Sequence, residues 1–462
     1  MSNSIGTTAN PLRVAVFGSG PAGFYASEEL LKQTQPIVSV DLFDRLPTPF
    51  GLVRGGVAPD HQKIKTVTRL FERTAGRPRF RFFGNVNFGQ DIHLEEVLEQ
   101  YHQVLFCTGA ESDRQMGIPG EALAGSYPAT AFVGWYNGHP DYRNLKFELG
   151  VESVAVVGIG NVAMDVARIL TRPVEDLART DIAAHALEAL RASKVRTVYL
   201  LGRRGPAQAA FTNPEIRELG EIPGTDLVIR PEDMALDELS REFLSQQKDP
   251  VYQRNVEILT TQAEKGPGVQ AKKIHLWFFT SPAEVLGASR VERLRLEKNT
   301  LVRDAKGRVQ ARGTGEFQDI AVQMLFRSIG YLGTGLPGLP FDERSGTIPN
   351  EGGRVTGRDG TVRERVYVAG WIKRGPSGVI GTNKPCAIGT VKSMLEDFAV
   401  RPLKPLTSGP EAIVQHLRNK KIRTVSFDDW RRLDEIEIKR GEALGKPREK
   451  FTRVEDMLQA LA

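Results

Sequence analysis

The chain has 462 residues, too many for one compact core, so two or three domains are expected. With 40% hydrophobic and 26% charged residues it reads as an ordinary globular protein, and no apolar run approaches the roughly 18 residues of a membrane span. The net charge of +6 suits an acidic partner, but the basic residues are scattered and no nucleic-acid motif accompanies them, so nucleic acid is not an expected partner. Only Cys107 and Cys386 occur, far apart and outside any Cys-x-x-Cys pair. No cysteine cluster for a metal or iron-sulfur site exists, no metal site is expected, and any redox chemistry must be a cofactor's. Both cysteines read as reduced thiols of a cytoplasmic protein. The Ser/Thr-rich stretch from Met1 to Asn10 lacks the apolar region of a secretory signal.

The first informative stretch is Val14 to Gly23. An apolar, β-branched run ends in Gly18-Ser19-Gly20-Pro21-Ala22-Gly23, and a helical pattern from Phe24 to Lys32 follows. Strand, tight turn and helix in this order form a dinucleotide-binding crossover: Gly18 permits the turn, Gly20 lets backbone approach a pyrophosphate, and Gly23 lets the helix pack on the strand. The helix N-terminus offers N–H groups and a positive dipole end to phosphates. A second strand, Ile37 to Phe43, ends at Asp44, where an acid that binds a ribose belongs. Asp41 is the other candidate, but it falls inside the strand.

Arg45 to His61 is apolar yet crowded with Pro and Gly, the composition of a loop packed on something flat, for which a flavin ring would serve. Gln62 to Thr74 reads as a helix with Ile64, Val67, Leu70 and Phe71 on one face, Phe80 to Val86 as a strand, Leu94 to Tyr101 as a helix and His102 to Ala110 as a strand. Its Thr-Gly ending places a domain boundary near Gly109.

Val154 to Ala163 repeats the opening theme, with Gly158, Gly160 and Asn161-Val162-Ala163 leading into a helix to Leu170; alanine at the third position is permitted. Here the next strand, Thr197 to Leu201, runs into Gly202-Arg203-Arg204-Gly205. Arginine at that point accommodates the 2′-phosphate that separates NADP from NAD, and its planar fork suits phosphate better than lysine. The first site is therefore expected to hold FAD and the second NADP(H). Thr171 to Lys194 reads as extra helix, and Leu227 to Lys273 mixes short helices with charged linkers without assignable chemistry. Ile274 to Thr280 and Val291 to Leu296 read as strands, and Val322 to Tyr331 as the strand by which the chain returns to the first domain. In Val366 to Lys384, a position that carries Gly-Asp in many two-domain flavoenzymes is Gly370-Trp371. From Arg401 to Pro410 the chain is linker-like, and helical patterning continues to Ala462.

The expected architecture is α/β with two Rossmann-like domains, the NADP domain inserted in the FAD domain, as in glutathione reductase. The expected ranges are 1–109 and 327–400 for the FAD domain, 110–326 for the NADP domain, and 401–462 for a linker and helical appendage.

Four stretches in family order, Pro49 to His61, Gly160 to Arg168, Gly202 to Thr212 and Gly370 to Lys384, resemble the adrenodoxin-reductase-like ferredoxin-NADP reductases, in their bacterial, mycobacterial-type branch. The resemblance implies hydride transfer from NADPH to FAD and release of single electrons to an acidic ferredoxin, with a cytochrome P450 or another sink beyond it left open. It further implies that His61 and Glu215 lie close to the flavin and nicotinamide and act in positioning or proton handling. Ser19, Leu52, Val86, Trp371, Gly378, Val379 and Ile380 match FAD contacts, Arg114 matches an NADP contact, and the resemblance implies that Gly378 also touches the nicotinamide. A diaphorase or quinone reductase acting on small molecules is the competing enzyme reading, and a dinucleotide sensor the competing binding module.

Overall fold

The structure, a computed structural model, describes residues 5–401 and 403–462. The first four residues of the Ser/Thr-rich N-terminal stretch lie outside the described residues. Backbone contacts divide the chain into one unit of Met1–Val57, His61–Ser112 and Tyr331–Ala462, and a second of Ala58–Asp60 and Asp113–Gly330. The segment 110–326 expected for the second domain falls within three residues of the second unit's main segment at its start and four at its end.

In the first unit a seven-stranded sheet runs in the spatial order Asn350–Glu351, Arg354–Thr356, Val362–Val368, Gln103–Phe106, Leu12–Phe17, Val38–Phe43, Phe80–Phe83. The last five are parallel. Leu12–Phe17 is flanked by Val38–Phe43 on one side and Gln103–Phe106 on the other, so the strand order reverses there and opens a crevice at the carboxyl ends. These strands are buried on both faces, which is why they read as continuous apolar runs rather than alternating ones.

The second unit repeats the plan. Six parallel strands lie in the order Ser126–Pro128, Met324–Arg327, Ser153–Val157, Thr197–Leu201, Lys272–Trp277, Thr225–Ile229. Its core gathers Phe132, Trp135, Phe147 and Phe326, with Phe132 and Phe326 centroids 4.7 Å apart.

Four places depart from expectation, one being Leu227 to Lys273, which carries part of strand Thr225–Ile229 and the 13-residue helix Val251–Ala263 rather than short helices and linkers alone. The helix over 62–74 is two short helices, Gln62–Lys65 and Thr68–Ala75, because the amides of Thr66, Val67, Arg69 and Leu70 bond three residues back instead of four. Thr280–Leu286, Arg293–Arg303 and Val309–Ala321 form an antiparallel three-stranded sheet much longer than the single strand expected over Val291 to Leu296. The 401–462 segment is less a linker and appendage than part of the first unit's core: Trp430, Leu433, Phe451 and Met457 are buried with Val14, Phe50 and Phe71.

Candidate functional site

The two crossovers are built on the same stereochemistry. Gly18 has φ +100°, and a Cβ there would lie 2.5 Å from the carbonyl oxygen of Cys107, just past the neighbouring strand. Gly158 has φ +119°, and its Cβ would lie 2.2 Å from the carbonyl oxygen of Ser328, again past the neighbouring strand. Both first glycines are thus required twice, by backbone conformation and by close approach. Gly20 and Gly160 sit at the starts of helices Pro21–Leu31 and Asn161–Thr171, and nothing lies within 4 Å of the position a Cβ would take at either. The protein itself leaves these two places open, and a side chain would fill the cradle. The third positions differ: a Cβ on Gly23 would sit 2.0 Å from the Gly18 carbonyl oxygen, whereas Ala163 is accommodated with its methyl fully buried.

Asp44 stands directly after Val38–Phe43. One carboxylate oxygen accepts from the Ser19 amide at 2.8 Å and the Ser19 hydroxyl at 2.5 Å, and the other from the Leu46 amide at 3.0 Å. The acid therefore closes the glycine turn onto the next loop, and its remaining lone pairs are what it can offer a ribose hydroxyl. Asp41 is excluded as the ribose acid: it is buried, held by Arg81 at 2.8 and 2.6 Å and by the Tyr101 hydroxyl at 2.6 Å.

The remaining predicted flavin contacts are spread over three segments of the first unit. Leu52 is exposed on the short helix Leu52–Gly55, and Val86 is buried. Gly370, with φ +76°, presses so close to Ala22 that a Cβ would come within 2.6 Å of the Ala22 methyl, which sets the start of helix Trp371–Arg374 beside that of Pro21–Leu31. The buried indole N–H of Trp371 has no acceptor among the described residues, and its ring lies 5.5 Å from that of Tyr331. Arg374 holds the loop carrying Gly378, Val379 and Ile380 through Ser377, Thr382 and Asn383, leaving Gly378 at φ +78° and Val379 exposed. An open glycine turn, a buried donor without an acceptor and exposed apolar side chains suit a flavin dinucleotide, with its phosphates at Gly20. Cys107 is buried, which pushes its thiol pKa up, and Cys386 Sγ accepts from the Gly370 amide at 3.3 Å.

In the second unit Arg203 is exposed and Arg204 half-buried, with no carboxylate partner for either among the described residues. Burial, and then the neighbouring charge of Arg203, lowers the Arg204 pKa. Their backbone is pinned: Asn299 Nδ2 donates to the Arg203 carbonyl at 3.0 Å and the Phe279 amide to the Arg204 carbonyl at 3.1 Å. Asn161 is occupied in a brace, its Oδ1 accepting from the Thr212 amide at 2.9 Å, and Val162 packs partly buried against the core. Arg114 lies beside Gly330 at the two chain crossings, its amide bonded to the Gly330 carbonyl at 3.1 Å.

Residues 12–197 match the family described as pyridine nucleotide-disulphide oxidoreductase. The chain is 44% identical to the NADPH-ferredoxin reductase FprA of Mycobacterium tuberculosis over 97% of its own length and 99% of the relative's. It is 42% identical to the mitochondrial NADPH:adrenodoxin oxidoreductase of Arabidopsis thaliana, over 98% and 96%. The solved structure of Mycobacterium tuberculosis FprA in complex with NADPH superposes with a TM-score of 0.92 at 43% identity, covering 98% of this chain and all of that one. The chain belongs to the family of NADPH-ferredoxin and NADPH:adrenodoxin reductases.

Within this reductase fold the two residues expected nearest the chemistry belong to different units. His61 opens the short helix Gln62–Lys65 in the first unit, whereas Ala58–Asp60, immediately before it, belongs to the second. Glu215, in the first turn of helix Asn213–Gly220, is buried and paired with Arg168 at 3.1 Å. Arg168 was missed by sequence reasoning. It has no exposed surface and also binds Asp60 at 2.7 and 3.1 Å and Asp165 at 2.6 Å. Burial opposes its charge, but Asp165, Asp60 and Glu215 hold its pKa well above the ordinary arginine value. A charge on the buried face of an otherwise apolar helix was the available signal. Among the described residues no helix is long and apolar enough to cross a membrane.

Proposed function

We propose that this chain is an FAD-dependent NADPH:ferredoxin oxidoreductase, taking hydride from NADPH and passing single electrons to an acidic iron-sulfur protein. Bound FAD would supply the conversion between two-electron and one-electron transfer that a nicotinamide donor and an iron-sulfur acceptor require. Gly18, Gly20 and the start of helix Pro21–Leu31 would hold its pyrophosphate, Asp44 would keep the turn closed, and Trp371 with Leu52 and Val379 would bracket its ring. Gly158, Gly160 and Asn161–Ala163 would hold the pyrophosphate of NADPH, with Arg203, Arg204 and Arg114 on its anionic groups. His61, Glu215 and Gly378 are proposed near the nicotinamide, with Glu215 oriented by its pairing with Arg168, His61 and Glu215 serving in positioning or proton handling. The net charge of +6 supports an acidic ferredoxin, with a cytochrome P450 as one sink beyond it and the cytoplasm as the proposed location.

The observation that carries this reading is the contrast between Asp44, engaged within the protein, and Arg203 with Arg204, left without carboxylate partners on a pinned loop. Replacing both arginines by Ala is expected to raise the KM for NADPH about 100-fold and that for NADH less than threefold, the loss of two charge-assisted phosphate contacts. Equal changes with both nucleotides, measured in steady-state diaphorase assays, would refute the assignment.

A further inference from the structure

The residues around and beyond Pro410 take no part in either crossover, yet they are stitched into the first unit. Arg13 donates to the Ser408 carbonyl at 2.6 Å, Arg81 reaches the Pro410 carbonyl at 2.8 Å and Glu411 at 2.9 Å, and Gly84 and Val425 exchange backbone bonds of 2.8 and 2.9 Å. Helix Phe427–Glu442 follows, capped by Ser426 and Asp429. Its Trp430 stands edge-on to Phe50 at 5.8 Å and lies under the Arg54 guanidinium at 5.1 Å. Its Glu437 has no exposed surface and accepts two bonds from Arg54, at 2.8 and 2.5 Å, and one from the Phe451 amide at 2.9 Å. Lys450 Nζ donates to the Arg54 carbonyl at 3.2 Å. The contacts of Trp430, Glu437 and Lys450 converge on Phe50 and Arg54.

That loop is held where it would not rest alone. Phe50 has φ +84°, in the left-handed region that strains a non-glycine residue. Its amide bonds the Ser19 carbonyl at 3.0 Å, and a Cβ on Gly51 would lie 3.0 Å from Gly20 Cα, so the loop tip abuts the open glycine of the first crossover. A buried ion pair contributes little net stability compared with an apolar pair of the same shape, and is better suited to fixing one geometry among several.

We infer that the C-terminal segment is a clamp, acting through Glu437 on Arg54 and Trp430 on Phe50, that fixes the 50–55 loop against the first glycine turn and so sets how tightly the protein retains its flavin dinucleotide. The inference rests on the proposal that the first unit binds FAD, and it makes Glu437 and Arg54 positioning residues. The test uses the full chain stripped of flavin. FAD affinity is read from flavin fluorescence, NADP⁺ affinity from calorimetry, and folding from far-UV circular dichroism, for the unsubstituted chain, Glu437→Gln, and the double variant Arg54→Met with Glu437→Met. FAD affinity is expected to fall at least tenfold in both variants, with NADP⁺ affinity and the dichroism spectrum unchanged. If Glu437→Gln fails to fold because Arg54 is left buried and unpaired, the double variant decides, since it removes both partners of that pair and leaves Arg448, which also contacts Glu437 at 3.3 Å, on Asp434. A folded double variant with FAD affinity within twofold of the unsubstituted chain overturns the clamp. So does one that loses FAD and NADP⁺ affinity in parallel, or one that does not fold. Failure of the unsubstituted chain to take up FAD would instead overturn the FAD reading itself.

Discussion

The two glycine crossovers share their turns and differ in how their second strands end. In both, the first glycine faces the carbonyl oxygen of a neighbouring strand's end and the middle glycine faces open space. In the first crossover the acid expected to bind a ribose, Asp44, is already bonded to Ser19 and Leu46. In the second, Arg203 and Arg204 hold only backbone positions, and their guanidinium groups have no carboxylate partner among the described residues. The difference separates two ways of preparing a site. One spends its charged group on the shape of the turn, and the other keeps its charges for the ligand.

The largest effect should come from the middle glycines. Gly20→Val is expected to weaken FAD binding at least 1,000-fold with NADP⁺ binding intact, and Gly160→Val to do the reverse, because a side chain enters the space left for a pyrophosphate. Both variants should keep the melting temperature of the flavin-free chain, since no protein atom lies within 4 Å of either Cβ. Titration of each variant with each nucleotide checks this, and loss of both affinities together would break the comparison. The third positions sharpen it. Gly23→Ala should destabilise the protein by about 3 kcal/mol in chemical denaturation, because the new methyl meets the Gly18 carbonyl oxygen at 2.0 Å, although Ala163 occupies the equivalent place without strain.

These features were legible in the sequence because each is local. A glycine spacing, a strand end and two adjacent arginines state their geometry within about thirty residues. What was not legible involves partners distant in sequence. Arg168 meets Asp60 across 108 positions, and Arg54 meets Glu437 across 383. Neither pairing leaves a periodicity, so Arg168 carries no reading in the sequence and the C-terminal helix reads as an appendage. Most of the sheet over Thr280–Ala321, beyond Val291 to Leu296, was not legible for another reason. Its outer strand is exposed along most of its length, so the apolar alternation that marks a half-buried strand is absent there.

The smallest effect concerns acid. His102 is buried at the start of strand Gln103–Phe106, its Nδ1 accepting the Arg13 amide at 2.9 Å. Burial, then the charges of Arg13 and Arg365, lower its pKa from 6.5 to about 4. Because the unfolded chain takes up the proton first, the stabilisation is complete above pH 6.5 and is lost as the pH falls toward 4. Denaturation at pH 7 and pH 5 should differ by about 1–2 kcal/mol from this group alone. His102→Gln should reduce the difference by that amount, and an unchanged pH dependence would remove His102 from the account.

The proposed function requires that the first unit's cofactor be reduced by the second unit's nucleotide and then serve a one-electron acceptor. Stopped-flow mixing of the flavin-loaded chain with NADPH or NADH, followed at the flavin absorbance and then by cytochrome c reduction with and without added ferredoxin, tests it most directly. The account predicts rapid bleaching by NADPH, much slower bleaching by NADH at equal concentration, and cytochrome c reduction that depends on ferredoxin. Equal bleaching by the two nucleotides, or cytochrome c reduction indifferent to ferredoxin, would contradict it.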